Sequence, residues 1–354
     1  MSQLSDENIF HRCVQLASLG IGKTYPNPVV GAIIMLDGRI IGEGYHRKYG
    51  EAHAEVNAIE QVNQLYGDKS DEMLSKSTIF VSLEPCSHQG KTPPCADLLV
   101  EKKFKKVKIG SIDPFDKVNG RGIKKLQESG IEVEMADGYI ADLCSELNKR
   151  FFTYHNKQRP YIILKWAESK EGFIAPNNER KQLSCKESSQ LLHQWRSEEQ
   201  AILIGTNTAK IDNPKLTVRE IDGKNPLRLV LDRNLEIPSN SNLYSNEAKT
   251  IIFNELKDSI TDNIQMVKTD FDKYLLQHVL YQLYLREIQS VIVEGGAILL
   301  SQFIRLGLWD EARVFKTITP LDSGVPAPVL SVRPAQTTKS GVDSLLYFRN
   351  NPTI

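Results

Sequence analysis

Thr78-Ile79-Phe80-Val81-Ser82-Leu83-Glu84-Pro85-Cys86, followed after a Gly/Pro-rich loop by Cys95-Ala96-Asp97-Leu98-Leu99-Val100-Glu101, is the stretch that decides the fold. Its first six residues are an apolar, β-branched run closed by Pro, which predicts a strand over Thr78 to Leu83. Ala96 to Glu101 reads as a helix, and Val107 to Gly110 as the next strand. Strand, loop, helix, strand is the α/β pattern, and it extends in both directions. Upstream, Ser5 and Asp6 precede Ile9, Phe10, Cys13, Val14, Leu16 and Ala17, an apolar helix face behind an N-cap. Val29 to Leu36 reads as a buried strand, and Asp37-Gly38 as a hairpin turn into Ile40 and Ile41. A helix is predicted from near His53 to about Tyr66. Downstream come a helix over Gly122 to Ser129, a strand over Ile131 to Met135 and a last helix over Tyr139 to Lys149. A hairpin followed by strands alternating with helices implies a mixed sheet covered by helices.

The chain has 354 residues, about 2.4 times a 150-residue domain, so two domains are expected. His155-Asn156-Lys157-Gln158-Arg159-Pro160 is polar, ends in Pro and reads as the linker between residues 1–150 and residues 158–354. Beyond it a second α/β run is predicted. Its strands lie over Tyr161 to Trp166, Gln200 to Gly205, Arg228 to Asp232, Thr250 to Asn254 and Ser290 to Glu294. Its helices lie over Lys186 to Arg196 and Phe271 to Arg286, and Leu345 to Phe348 is strand-like. Lys+Arg and Asp+Glu are both 44, which argues against a general electrostatic grip on nucleic acid or an anionic membrane. The run Lys102, Lys103, Lys105, Lys106, Lys108 reads as a solvated corner. No apolar run approaches the ~18 residues of a membrane helix, and the polar start lacks the regions of a signal peptide. Five cysteines are too few, and odd in number, for a disulfide framework, so a reducing cytoplasm is expected. Cysteine then matters as a ligand or nucleophile.

His53-Ala54-Glu55 and the two cysteines Cys86 and Cys95 carry the chemistry. A catalytic zinc takes three N/S ligands and keeps a fourth position open. Zinc deaminases combine a His-x-Glu element with a Pro-Cys…Cys element, the Glu moving protons without binding metal. His53, Cys86 and Cys95 supply that ligand set, with Glu55 as the shuttle. A closed structural site would need a fourth ligand, for which His88 is at hand. Eight residues separate the cysteines here, against two in the general deaminase pattern. Gly22-Lys23-Thr24 imitates the end of a P-loop, but Ala17 stands where its leading glycine belongs. Cys13, Cys144 and Cys185 read as ordinary core or surface thiols.

Pro85-Cys86-Ser87-His88-Gln89-Gly90-Lys91-Thr92-Pro93-Pro94-Cys95 strongly resembles the riboflavin-pathway pyrimidine deaminases, as does Thr24-Tyr25-Pro26-Asn27-Pro28-Val29-Val30-Gly31-Ala32. The whole chain is similar to the bifunctional deaminase-reductases of that pathway. The resemblance implies a cytidine-deaminase-like mixed sheet in the first half, with zinc on His53, Cys86 and Cys95 and Glu55 as general acid/base. It also implies that Asn27, His46, Lys91 and Asp113 contact a phosphoribosylated pyrimidine. Read from the residues alone, Asn27 between prolines equally shapes a turn, and His46 equally sits at the surface. Phe115 stands where the family usually has Asn.

No Gly-x-Gly-x-x-Gly occurs, so a Rossmann-type site has no support. Instead the second half has Lys165 to Gly172, Gly205-Thr206-Asn207-Thr208-Ala209, Asp212 to Arg219 and Val293-Glu294-Gly295-Gly296-Ala297. The last is a strand running into a glycine pair at a helix start, which presents backbone N–H groups to an anion. Together these segments resemble the pyrimidine reductase half of the same family, whose fold is similar to dihydrofolate reductase. By that resemblance NADPH lies along Ala167, Thr208, Asp212, Gly295 and Gly296. Lys165, Ser184, Arg196, Leu216, Arg219 and Glu294 then surround the ribose and its phosphate. Glu171 replaces the usual Asp before Gly172, and Arg180 to Leu183 lack the tryptophan common before the position of Ser184. The partner implied is a small phosphorylated pyrimidine, with no nucleic acid and no membrane, and a homo-oligomer is left open. Two rivals stand beside this reading: a nucleoside or tRNA deaminase fused to an unrelated domain, and a zinc-stabilised nucleotide-binding module without catalysis. Glu55 speaks against the second, since a structural site has no use for it.

Overall fold

The computed structural model describes residues 4–87, 93–115, 119–177, 179 and 181–350. The chain divides into two compact units, Met1–Gln158 and Arg159–Ile354. The first contains α1 (Asp6–Ser18), β1 (Gly31–Leu36), β2 (Arg39–Tyr45), α2 (Ala54–Tyr66), α3 (Ser70–Ser75), β3 (Thr78–Val81), α4 (Cys95–Glu101), β4 (Lys106–Ile109), α5 (Arg121–Glu128), β5 (Glu132–Met135), α6 (Gly138–Leu147) and α7 (Lys149–Lys157). Its sheet order is β2-β1-β3-β4-β5. The β1–β2 hairpin and the β1–β3 pair are antiparallel, while β3–β4 and β4–β5 are parallel. This is the mixed sheet that the alternation implied. One face packs Ile34, Val81, Val107 and Ile109 with Ala54, Ala58 and Val62 of α2. The other packs Ile33, Met35 and Phe80 with α1. Such two-sided coverage explains why the strands read as near-continuous apolar runs.

The Ser5 hydroxyl accepts from the Asn8 N–H and caps α1, as its sequence position suggested. One expectation fails. Residues 155–157 are not linker but the last turn of α7, with Phe151 buried and its ring 4.3 Å from that of His155. A helix with one buried aromatic stripe and a polar exterior looks like a polar linker in sequence. The lysine run is a paired corner: Lys106 meets Glu132 and Glu134, and Lys108 meets Asp6 and Glu134.

The second unit contains β6 (Tyr161–Glu168), β7 (Phe173–Ala175), α8 (Lys186–Glu198), β8 (Ala201–Gly205), α9 (Thr206–Asp212), β9 (Leu227–Leu231), β10 (Thr250–Asn254), β11 (Ser259–Ile260), β12 (Ile264–Lys268) and α10 (Leu275–Tyr284). It continues with β13 (Ser290–Val293), α11 (Ala297–Arg305), β14 (Glu311–Lys316), β15 (Val325–Pro326), β16 (Gln336–Ser340) and β17 (Asp343–Arg349). Its large sheet runs β11-β12-β10-β9-β8-β13-β6-β14-β17-β16. The strands from β12 to β14 are parallel and the two edges antiparallel. Of adjacent β8 and β13, the first runs directly into α9 and the second reaches α11 through Glu294-Gly295-Gly296. Ligands of parallel α/β sheets bind beyond such carboxyl ends. Among the described residues no helix is long and apolar enough to cross a membrane.

Candidate active sites

His53 is the N-cap residue of α2, in extended conformation, and Glu55 lies in the first turn, 3% exposed. Cys86 follows the end of β3, and Cys95 opens α4. The His53 Nδ1 is 3.6 Å from the Cys86 Sγ and 3.4 Å from the Cys95 Sγ, and the three donor atoms lie within 4.8 Å of one another. Tetrahedral zinc with its usual bond lengths separates a bound N and S by about 3.5 Å, so this donor set fits the metal. The Cys95 N–H donates to the Cys86 Sγ at 3.3 Å. The hydrogen bond with Cys95, seconded by His53, holds the Cys86 thiol well below its ordinary range, while Cys95 is pushed up by the same bond and by burial. Lowering the Cys86 thiol favours its thiolate, the form that binds metal. Burial first, then the charge of Cys86, raises the proton affinity of Glu55.

The His46 ring centroid is 5.0 Å from that of His53. Its Nδ1 is 3.1 Å from the Ala52 carbonyl oxygen, so Nδ1–H donates there and Nε2 is left to accept from the Asn27 Nδ2 at 3.2 Å. His46 is buried, not a surface histidine. Asp113, also buried, is pushed up to about 7, by burial first and then by Glu84 and Cys86. The Phe115 N–H donates to its Oδ1, so the atypical residue serves the local turn through its backbone. Lys91 and His88 lie outside the described residues. Two site-shaping residues escaped sequence reasoning. Buried Glu84 accepts from the N–H groups of Gly120, Gly122 and Ile123, tying the strand end before Cys86 to the start of α5. Buried Asn148 accepts from the Val29 N–H and donates to its carbonyl, both at 2.9 Å, two residues from Asn27.

In the second unit Arg196 forks onto Glu294, with Nε–Oε1 3.0 Å and Nη2–Oε2 2.8 Å. Lys165, on β6, is pushed down by burial and by Arg196 against the pull of Glu294. Arg196 and Arg219 both donate to the Thr217 carbonyl at 3.3 Å, which brings Leu216 to Arg219 alongside. Gly296 is the N-cap residue of α11, and its N–H donates to the Thr208 Oγ1 at 2.8 Å. That N–H was expected to face an anion and instead ties the two helix starts together. A Cβ on Gly295 would lie 2.7 Å from the Leu299 Cδ2. Ala167 sits two residues beyond Lys165 on β6, and Asp212 closes α9. The half-buried Ser184 accepts from Gln182, which does not join it to the Lys165–Glu294 group. Glu171 accepts from the Leu321 N–H at 3.1 Å, so the longer carboxylate is satisfied where the family has Asp.

Comparison with known proteins matches both halves of the chain. The cytidine and deoxycytidylate deaminase zinc-binding region matches residues 3–111, and the RibD C-terminal domain matches residues 160–329. Riboflavin biosynthesis protein RibD of Aquifex aeolicus is 35% identical over 364 residues, covering 97% of this chain and 98% of its own. That of Bacillus amyloliquefaciens is 38% identical over 320 residues, covering 88% and 84%. A crystal structure from Thermotoga maritima, a diaminohydroxyphosphoribosylaminopyrimidine deaminase/5-amino-6-(5-phosphoribosylamino)uracil reductase, superposes with a TM-score of 0.87 at 33% identity, covering 97% and 98%. Fold and site therefore define an enzyme that joins a cytidine-deaminase-like, zinc-binding deaminase domain to a dihydrofolate-reductase-like reductase domain. The chain belongs to the RibD family of bifunctional riboflavin biosynthesis proteins.

Proposed function

We propose that the first unit deaminates 2,5-diamino-6-(5-phosphoribosylamino)pyrimidin-4-one. Water replaces the 2-amino group, which leaves as ammonia. The second unit then reduces the ribosyl side chain of 5-amino-6-(5-phosphoribosylamino)uracil to ribityl. The observation that carries the first step is the buried Glu55 beside a three-donor site of zinc dimensions. When bound, zinc supplies the Lewis acidity that makes water a nucleophile near neutral pH. Glu55 takes the proton from the attacking water and passes it to the departing amine. A carboxyl whose proton affinity burial has raised suits a group that must hold a proton between two partners. Asn27 and His46, fixed by their mutual hydrogen bond, orient the pyrimidine, with Asp113 and Lys91 as further contacts.

For the second step NADPH supplies the hydride. Thr208, Asp212, Gly295 and Gly296, with Ala167 on β6, flank its proposed place at the carboxyl ends of β8 and β13. Arg219 suits the substrate phosphate because guanidinium offers paired donors, whereas the fork of Arg196 is taken by Glu294 and holds that carboxylate in place. Lys165 with Glu294 faces the ribosyl carbons. Cytoplasmic residence agrees with thiols kept reduced for metal binding. The test is incubation with the diaminopyrimidine phosphate, with and without NADPH, followed by mass analysis. The deaminated product is expected without NADPH, and the ribityl product only with it. Deamination of free cytidine or RNA in place of this substrate would overturn the reading.

A further inference from the structure

Among the buried titratable groups of the second unit that the mechanism above leaves unused is His193 on α8. It is 2% exposed. Its Nδ1 accepts from the Arg219 backbone N–H at 3.1 Å, which fixes the proton on Nε2. That Nε2 faces the Glu220 carboxylate at 3.7 Å, and Glu220 is itself held by the Ser189 hydroxyl at 2.7 Å. Arg196, three residues further along α8 and so on the same face, donates to the Thr217 carbonyl. One helix face therefore grips the segment 217–219 at two points, an N–H by His193 and a C=O by Arg196. Arg219, exposed at the surface, folds its guanidinium onto the Thr217 carbonyl and hydroxyl of that clamped segment.

We infer that His193 is the positioning residue that aims Arg219 at the anionic, phosphorylated end of the reductase substrate. The inference rests on the reading of Arg219 as a phosphate contact. Only neutral His193 can hold the segment, because a protonated ring has no acceptor to offer. Burial first, then Arg196 and Arg219, disfavours its protonation, while Glu220 and Glu294 favour it, and the balance lies below the ordinary imidazole range. Affinity for the substrate should thus fall as the pH drops below that range.

Steady-state kinetics of the full chain with the ribosyl phosphate substrate and NADPH test this. His193→Ala should raise the substrate KM about tenfold, the effect of one lost buried hydrogen bond, with kcat and the KM for NADPH nearly unchanged. His193→Asn, whose Oδ1 can stand where Nδ1 did, should restore the KM and remove its rise at low pH. In an Arg219→Ala background, His193→Ala should add nothing. A substrate KM that stays normal in His193→Ala while Arg219→Ala raises it overturns the inference. So does a loss confined to kcat, or a failure of His193→Asn to rescue a variant that melts like the parent. A normal KM in Arg219→Ala would instead remove the phosphate reading beneath it.

Discussion

At the scale of single residues, the proposed deaminase centre separates its proposed ligands from the proposed proton carrier by position. His53 caps α2, whereas Glu55 is inside its first turn and buried. Glu55→Gln should therefore keep zinc and fold but lose about 10²–10⁴-fold in ammonia release. Cys86→Ser combined with Cys95→Ser should lose the zinc itself, read by metal analysis. Full zinc retention in that double variant would sink the ligand assignment. Asn148 makes a different prediction. Removing its amide leaves a buried N–H and C=O of Val29 unpaired, which costs about 1–3 kcal/mol for each such group. Asn148→Ala should lower the melting temperature and raise the deaminase KM, because Asn27 loses its anchored neighbour. The clustering of His53, Cys86 and Cys95 was legible from sequence, since they sit on two short local motifs. Asn148, Glu84 and His193 were not. Their partners lie 119, 38 and 26 residues away, and a buried polar clamp carries the same letters as a surface one.

At the scale of elements, α2 is placed by the strand beneath it. A Cβ on Gly44 would lie 2.3 Å from the Ala54 carbonyl oxygen and 2.4 Å from the Ala58 N, and one on Gly42 would lie 2.6 Å from the Ala58 carbonyl. The hairpin strand β2 thus touches the backbone of α2, with glycine at both points of closest approach. Gly44→Ala must push α2 outward, and α2 begins at His53 and Glu55. Zinc content and ammonia release should both fall, together with the melting temperature, while NADPH-dependent reduction persists. Normal zinc binding in a stable Gly44→Ala protein would show that α2 can shift without disturbing the site. Elements with an apolar face, such as α1 with its side-chain cap and α2 without one, were readable to within about two residues, the usual scatter of helix ends. The short α9, rich in Thr, Asn and Asp, gave no periodic signal. Nor did α7, whose polar exterior hid Phe151. Packing against the rest of the unit, not local preference, makes these helical.

At the scale of the whole molecule, the apolar cores respect the division after Gln158. Ile34, Val81, Val107 and their neighbours form one core of the first unit, and Ile33 with Phe80 the other. Leu164, Leu203, Val293 and Phe303 centre the main core of the second, flanked by clusters around Ile204 and around Trp195 with Phe315. Each unit thus has apolar core clusters of its own. The proposed metal ligands all precede the division, and the proposed reductase residues all follow it. Residues 159–354 alone should therefore fold and oxidise NADPH when given the deaminated intermediate, with no zinc present. Lys165→Ala in the full chain should impair that reduction and leave ammonia release intact, since Glu294, Arg196 and Phe315, which Lys165 meets, all follow the division. Joining both activities on one chain keeps the second near the product of the first, which predicts no change in either rate constant when they are cut apart. Failure of the isolated unit to fold would place part of its stability in the first. Ammonia release by the full chain without consumption of NADPH or NADH on the product would leave only the deaminase standing.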